Sequence, residues 1–326
     1  MTLFSVGTMQ PPFENSLVLT GSTASGKSAL GIELAHALNA EIISMDSMTL
    51  YCHLDIGTAK PSDADRAMIP HHLIDVLQPH ETGSVAWWLA QAAECVRDIE
   101  SRGKQALFVG GTPLYLKALL HGLFDGPPAD AELRARLEQE AAEQGGEALR
   151  QQLAQVDPVT AARLHPHDVR RIVRALEVWQ LTGRPISEWQ QQWIIPPPTS
   201  DFPRCLRLEI PREDVYARIN QRVLMMLADG WMEEVERLMR IEPSAVSAVW
   251  QSIGYAELRA VLQGELAWVD AVERIQTRTR QFAKRQFTWF RNLPDAVPCG
   301  RELTFVHWAS KMNRSIDHSQ THETLS

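Results

Sequence analysis

The eight residues Gly21-Ser22-Thr23-Ala24-Ser25-Gly26-Lys27-Ser28 constrain this chain more than any other segment. They fit the pattern G-x-x-x-x-G-K-[ST]. An apolar run, Leu17-Val18-Leu19, precedes them, and a helical pattern from Ser28 to Leu38 follows. That is the strand–loop–helix context in which backbone N–H groups turn inward around phosphate oxygens. All eight residues are therefore candidates for a phosphate site, with Lys27 as its mobile positive charge. The Ser28 hydroxyl is a candidate ligand for Mg²⁺, directly or through water. The start of the following helix adds a dipole that favours an anion. The loop leaves the ligand open, since ATP, a nucleoside diphosphate or an organic diphosphate would be held alike.

Such a loop demands a parallel sheet, and the rest of the chain supplies one. Glu41-Ile42-Ile43-Ser44 reads as a short buried strand ending at Asp46. Leu73-Ile74-Asp75-Val76-Leu77 is a weaker strand candidate, and residues 84–100 read as a helix. Ala106-Leu107-Phe108-Val109 is a strand that stops at Gly110-Gly111, with a helix over 112–121. Short apolar strands alternating with helices predict an α/β fold: a P-loop NTPase-like parallel sheet with flanking helices. Residues 129–193 break this rhythm, being rich in Ala, Arg, Glu, Gln and Leu, and read as all-helical. Pro127-Pro128 and Pro196-Pro197-Pro198 bound them as stiff connectors. Cys205 to Ile210 returns to strand, and helices follow to about Arg291. The expected organisation is an extension (1–15), a discontinuous core (16–125 and 200–312), an inserted all-helical domain (126–199) and a polar tail (313–326).

Composition excludes several classes. At 44% hydrophobic and 22% charged residues the chain is an ordinary folded protein. No run approaches the roughly 18 consecutive apolar residues of a spanning helix. The first fifteen residues lack a basic start followed by an apolar core, so a cytoplasmic protein away from membranes is expected. Cys52, Cys95, Cys205 and Cys299 form no C-x-x-C pair and read as reduced thiols. The net charge of −8 argues weakly against nucleic acid, yet 26 of the 32 basic residues are Arg, so their clustering decides the matter.

Ligands of open parallel sheets sit at the carboxyl ends of the strands. Asp46 therefore faces the phosphate loop, as a metal ligand, a general base or a nucleotide contact. Gly110-Gly111-Thr112 ends another strand, where the glycines allow close approach to a ligand and Thr112 offers a hydroxyl. His71 and His72, adjacent, would seldom share an ion and are expected to hold hydrogen bonds near the site. Trp179, Trp189 and Trp193 read as packing residues. Residues 273–291 hold six basic side chains against the single acid Glu273, with Phe282, Phe287, Trp289 and Phe290 interleaved. The expectation is a helix whose aromatics pack inward and whose basic side faces RNA.

Nine stretches in order resemble the bacterial tRNA dimethylallyltransferase (isopentenyl-diphosphate:tRNA transferase) family. They are GSTASGKS (21–28), EIISMDSMTLY (41–51), DIGTAKP (55–61), PHHLID (70–75), VGGTPLYLKALLHGL (109–123), HDVRRIVRALEV (167–178), TGRPIS (182–187), SIGYAEL (252–258) and TRQFAKRQFTWFR (279–291). They keep order and spacing over residues 16 to about 291. The resemblance implies transfer of a dimethylallyl group from dimethylallyl diphosphate to N6 of adenosine 37, beside the anticodon of tRNA. It implies that the phosphate loop holds the donor diphosphate, with Mg²⁺ and Lys27 neutralising the leaving pyrophosphate. Asp46 falls at the general-base position and Thr112 at that of a channel threonine. Contacts to tRNA are implied for Asp46, Ser47, Met48, Thr49, Thr112, Arg134, Arg170, Arg171, Arg174, Gln251, Arg280, Lys284 and Arg285. The partner is the anticodon stem-loop, and a monomer is expected.

Three positions depart from the family pattern. Arg170 stands where many relatives have Gln; the Arg is expected to keep phosphate contact but to lose an amide contact to a base. Gln251 stands where some relatives carry Arg. Pro113 replaces a Gly or Met and is tolerable at a helix start. Two other readings compete. A P-loop small-molecule kinase or free-adenylate prenyltransferase has little use for a basic helical insertion. An RNA-binding NTPase switch needs a second Mg²⁺ Asp at a strand end, which the sequence lacks.

Overall fold

The computed structural model describes residues 13–124, 126–190, 204–242, 244, 247–293, 295–302 and 308. Trp193, Pro196-Pro197-Pro198 and the polar tail lie outside them. The described residues divide into two compact units, an α/β unit (13–120 and 204–308) and a helical unit (121–190).

The α/β unit begins with β1 (Leu17–Gly21), α1 (Lys27–Ala37) and β2 (Ala40–Ser44). Then come α2 (Asp63–Met68), β3 (His71–His72), α3 (Val85–Ser101), β4 (Gln105–Gly110) and α4 (Pro113–His121). The helical unit holds α5 (Ala131–Gln144), α6 (Gly146–Val156), α7 (Pro158–Arg163), α8 (Val169–Thr182) and α9 (Ile186–Gln190). The chain returns with β5 (Cys205–Leu208), α10 (Arg212–Ala228), α11 (Trp231–Ile241), a 3₁₀ turn (Ala248–Gln251), α12 (Tyr255–Leu262), α13 (Trp268–Arg291) and β6 (Ala296–Cys299).

The six strands form one parallel sheet in the order β3-β2-β4-β1-β5-β6. Both faces are covered, so the central strands read as continuous apolar runs. Val18, Ile43 and Phe108 point into one core with Trp88, Val96 and Tyr115. Leu19, Ile42 and Leu107 point into the other with Leu30 and Leu34 of α1. This alternation across three neighbouring strands fixes their register. It also brings the segments following β1, β2 and β4 together at one end of the sheet.

Two strand expectations are corrected. Residues 73–77 are not a strand, because Leu73 and Asp75 adopt positive φ of 59° and 58° and break any extended run. The edge strand is His71–His72, and Leu77 makes only an isolated parallel bridge to Tyr51. β6 carried too weak a signal to be expected, being short and containing Pro298. At the sheet edge its missing N–H is tolerated.

The helical unit closes around Leu137, Leu149, Leu153, Ile172, Val173 and Leu176. Trp189 packs against this core, under the Arg184 guanidinium at 4.8 Å, while Trp179 is half-buried. Among the described residues no helix is long and apolar enough to cross a membrane.

Candidate active site

Gly26, at φ 90°, is the N-cap of α1 and offers no side-chain cap, so the first-turn N–H groups stay open toward an anion. Lys27 Nζ lies 3.2 Å from the Ser22 carbonyl. Burial pulls the Lys27 ammonium down to about 8, the charge of Asp46 works to raise it and Arg222 lowers it further. An arriving diphosphate would raise it again and hold the proton in place. Thr23 and Ala24 are half-buried, and Ser25 is buried within the loop.

Asp46 follows β2. One oxygen, Oδ1, accepts the Met48 N–H at 2.9 Å, which aims the carboxylate and leaves Oδ2 for other work. Thr112 follows β4, and its Oγ1 accepts the Ser47 N–H at 3.2 Å, tying the two strand ends together. A cavity of about 360 Å³ opens between them. Thr23, Asp46, Ser47, Thr112 and Arg222 supply polar groups to its wall. Ile219, Val223, Met226, Trp231, Ile253 and Phe282 supply apolar ones. Polar groups converging on an apolar wall suit a small-molecule site.

Other expected site residues divide by geometry. Met48, Gln251 and Arg285 border the cavity, and Lys284 is exposed on α13 beside it in sequence. Thr49 is buried, its hydroxyl 2.8 Å from Ser44 Oγ and 3.2 Å from the Asp46 carbonyl, so it shapes the turn. Arg280 turns toward α10, donating to Asn220 and Thr277. Of the four aromatics on α13, Phe290 is fully buried. Phe282, Phe287 and Trp289 are half-buried, and Phe282 serves the cavity.

In the helical unit Arg170 and Arg171 are exposed. Arg134 and Arg174 are instead committed to the fully buried Glu177. Arg134 forks onto it at 2.9 and 3.0 Å, and Arg174 donates at 2.6 Å and to the Pro127 carbonyl at 2.9 Å. Burial works against the Glu177 charge, yet these two arginines hold its carboxyl below the ordinary value. A buried carboxylate needs such partners, so these residues join α5 to α8.

The two histidines make hydrogen bonds, but away from the site. His71 Nδ1 lies 2.7 Å from the Ile69 carbonyl and His72 Nε2 2.8 Å from Glu41. Glu41, held well below the usual range chiefly by its Arg102 hydrogen bond, sits at the opening end of β2 with Lys104 before β4. The paired glycines also differ from expectation. A Cβ on Gly110 would lie 2.2 Å from the Met45 carbonyl oxygen, and one on Gly111 2.8 Å from Gln286 Nε2. Their close approach is to the protein itself.

Three functional positions escaped the sequence reading. Arg222 sits at an inward position of α10 between Ile219 and Val223 and Met226. Gln286 sits inward on α13 between Ala283 and Phe290, both buried. A polar residue in an apolar stripe was the available signal for both. Glu234 on α11, 3% exposed, accepts the N–H groups of Asp55, Ile56 and Gly57 at 2.9, 2.8 and 3.2 Å and the Tyr255 hydroxyl at 2.6 Å. It thereby pins the Asp55–Thr58 turn that borders the cavity.

A model of the IPP transferase family matches residues 49–293. The tRNA dimethylallyltransferase of Geobacter sulfurreducens is 45% identical over 280 residues, covering 85% of this chain and 89% of that protein. That of Symbiobacterium thermophilum is 48% identical over 276 residues, covering 84% and 86%. The crystal structure of a tRNA isopentenylpyrophosphate transferase from Bacillus halodurans superposes with a TM-score of 0.65 at 32% identity, over 95% of this chain and all of that one. A eukaryotic dimethylallyltransferase captured acting on tRNA gives a TM-score of 0.72 at 30% identity, over 94% and 79%. With three quarters of its length matched by the family model, the chain belongs to the IPP transferase family.

Proposed function

We propose that the chain transfers a dimethylallyl group from dimethylallyl diphosphate to N6 of the adenosine just 3′ of a tRNA anticodon. The cavity that joins the phosphate loop, Asp46 and Thr112 to an apolar wall carries this reading. The diphosphate lies at the uncapped start of α1 with Lys27, the Thr23 N–H being held by Gln286 and the Ser25 N–H by the Ser22 carbonyl. The allyl group takes the apolar wall, and the adenine reaches Asp46 unstacked from its loop. The N6 nitrogen attacks C1 of the allyl group, the C1–O bond breaks, and pyrophosphate departs with the electron pair. Asp46 takes the N6 proton, which a weakly basic amine must lose. Arg222 and Lys27 face the charge developing on the leaving group.

The loop also suits Mg²⁺. Ser28, exposed at the start of α1, is a hard oxygen donor. Among the described residues no cluster of three or more His, Cys, Asp or Glu could hold an ion unaided. Ser28 would hold the ion beside the donor diphosphate, where it would supply charge neutralisation.

For the acceptor we assign the anticodon stem-loop, met by the helical unit and by Lys284 and Arg285, with a monomer acting in the cytoplasm. Arg170 and Arg171 are the exposed arginines of α8. Replacing both by Ala should lower the slope of log affinity against log salt by about 1 to 2, one unit for each phosphate that is no longer gripped. An unaltered slope in a tRNA titration would put RNA elsewhere. Arg174→Ala should chiefly destabilise the helical unit, because it strips a partner from Glu177.

The reaction itself is tested by mass spectrometry of nucleosides from unmodified tRNA incubated with the protein, Mg²⁺ and dimethylallyl diphosphate. Adenosine gaining one dimethylallyl group is the expected result. No gain, with ATP consumed in its place, would move the loop to a kinase.

A further inference from the structure

We infer that Gln286 is a positioning residue for the transfer reaction, holding the donor loop and the Thr112 turn at a set spacing. The inference rests on the transferase reading above. Gln286 is 2% exposed and lies in the inward stripe of α13 with Ala283 and Phe290, where an apolar side chain would cost least. Both ends of its amide are engaged. Oε1 accepts the Thr23 N–H at 2.8 Å and Nε2 donates to the Gly111 carbonyl at 2.7 Å. The two partners belong to the two segments that bound the reacting centre, the diphosphate loop and the turn leading into Thr112. They lie 263 and 175 residues away in the chain.

The pairing needs one acceptor and one donor on adjacent atoms, which an amide supplies. Gly111 makes room for it, since a Cβ there would lie 2.8 Å from Gln286 Nε2, and it stands close to Lys27 Nζ, 3.4 Å from that same Cβ position. The bridge thus touches the loop backbone and stands beside the ammonium that meets the diphosphate. It also ties both segments to α13, where the neighbouring residues Lys284 and Arg285 are exposed.

The test compares Gln286→Leu and Gln286→Glu in the full chain. Gln286→Leu should raise KM for dimethylallyl diphosphate, and Kd for inorganic pyrophosphate by calorimetry, about tenfold, the worth of one or two net hydrogen bonds. KM for tRNA should stay unchanged. In Gln286→Glu an ionised carboxylate still accepts from Thr23 but cannot donate to Gly111, so the donor defect should appear at neutral pH. Protonation restores the O–H donor. The variant-to-wild-type ratio of pyrophosphate affinity should therefore recover as pH falls, and this arm holds even if the leucine variant does not fold. A purely structural role would lower Tm in both variants and move both KM values in parallel. That result, or wild-type donor affinity in both variants, overturns the inference. A wild-type chain that binds pyrophosphate but modifies no tRNA would sink the transferase reading alone, leaving the Gln286 bridge to be judged by pyrophosphate affinity.

Discussion

Asp46→Ala is expected to lower turnover about 10²–10⁴-fold, the usual worth of a general base, while tRNA affinity stays close to that of the wild type. The loss should fall on the chemical step and so appear in single-turnover transfer. Removing the carboxylate also removes the negative charge that favours protonated Lys27. Donor affinity should therefore weaken modestly, and more at alkaline pH than at neutral pH. Asp46→Asn separates the two parts of the role. Its side-chain oxygen can still accept the Met48 N–H, so the turn after β2 keeps its shape, yet the amide takes up no proton. Asn and Ala variants should then be almost equally slow, differing mainly in stability. Turnover within a few-fold of wild type in the Asn variant would remove proton transfer from the role of Asp46.

Gly254→Ala is expected to be the most destabilising small substitution around the cavity. The residue has φ of +95°, and a Cβ there would lie 2.0 Å from Trp231 Cη2. Holding Ala at that φ costs of order 1–3 kcal/mol. Forcing an extra methyl into a packed contact costs about another 1–3. A loss near 3 kcal/mol corresponds to roughly 6–12 °C in Tm for a unit of this size. Trp231 is 2% exposed and lines the cavity, so its displacement should also disturb donor binding. Trp231→Phe removes the ring atoms nearest Gly254. The double variant should therefore regain part of the loss, a coupling that thermal unfolding of the four proteins in a double-mutant cycle would read. Strict additivity would mean that the Trp231 contact is not what excludes a side chain at residue 254.

The features legible from sequence are those whose physics is local. The phosphate loop needs only its own glycines and the strand and helix beside it. β1, β2 and β4 announce themselves because burial on both faces makes them continuous apolar runs. A rule about strand ends, which depends on chain direction alone, puts Asp46 and Thr112 beside the phosphate loop. The expected strand at 73–77 failed for the complementary reason. Its apolar residues suggest β structure, but backbone hydrogen bonds from Asp75 and Val76 to the Thr49 and Leu50 carbonyls hold it as an irregular segment with two positive φ angles.

Charge was the least legible property. Arg134, Arg170, Arg171 and Arg174 look alike along the chain, and the family resemblance treats them alike. Folding separates them, because Glu177 is buried and a buried carboxylate claims whichever cations reach it.

What the sequence determined by itself was the phosphate loop, the parallel sheet and the strand ends where Asp46 and Thr112 stand, since each follows from neighbours within a few residues. Only the tertiary structure decided that Gln286 bridges Thr23 and Gly111, that Arg222 meets the charge of Asp46, and that Glu234 pins residues 55–57. These pairings join residues far apart in the chain. No local propensity encodes them, and they form because packing the sheet ends against α10, α11 and α13 buries polar groups that must then find one another.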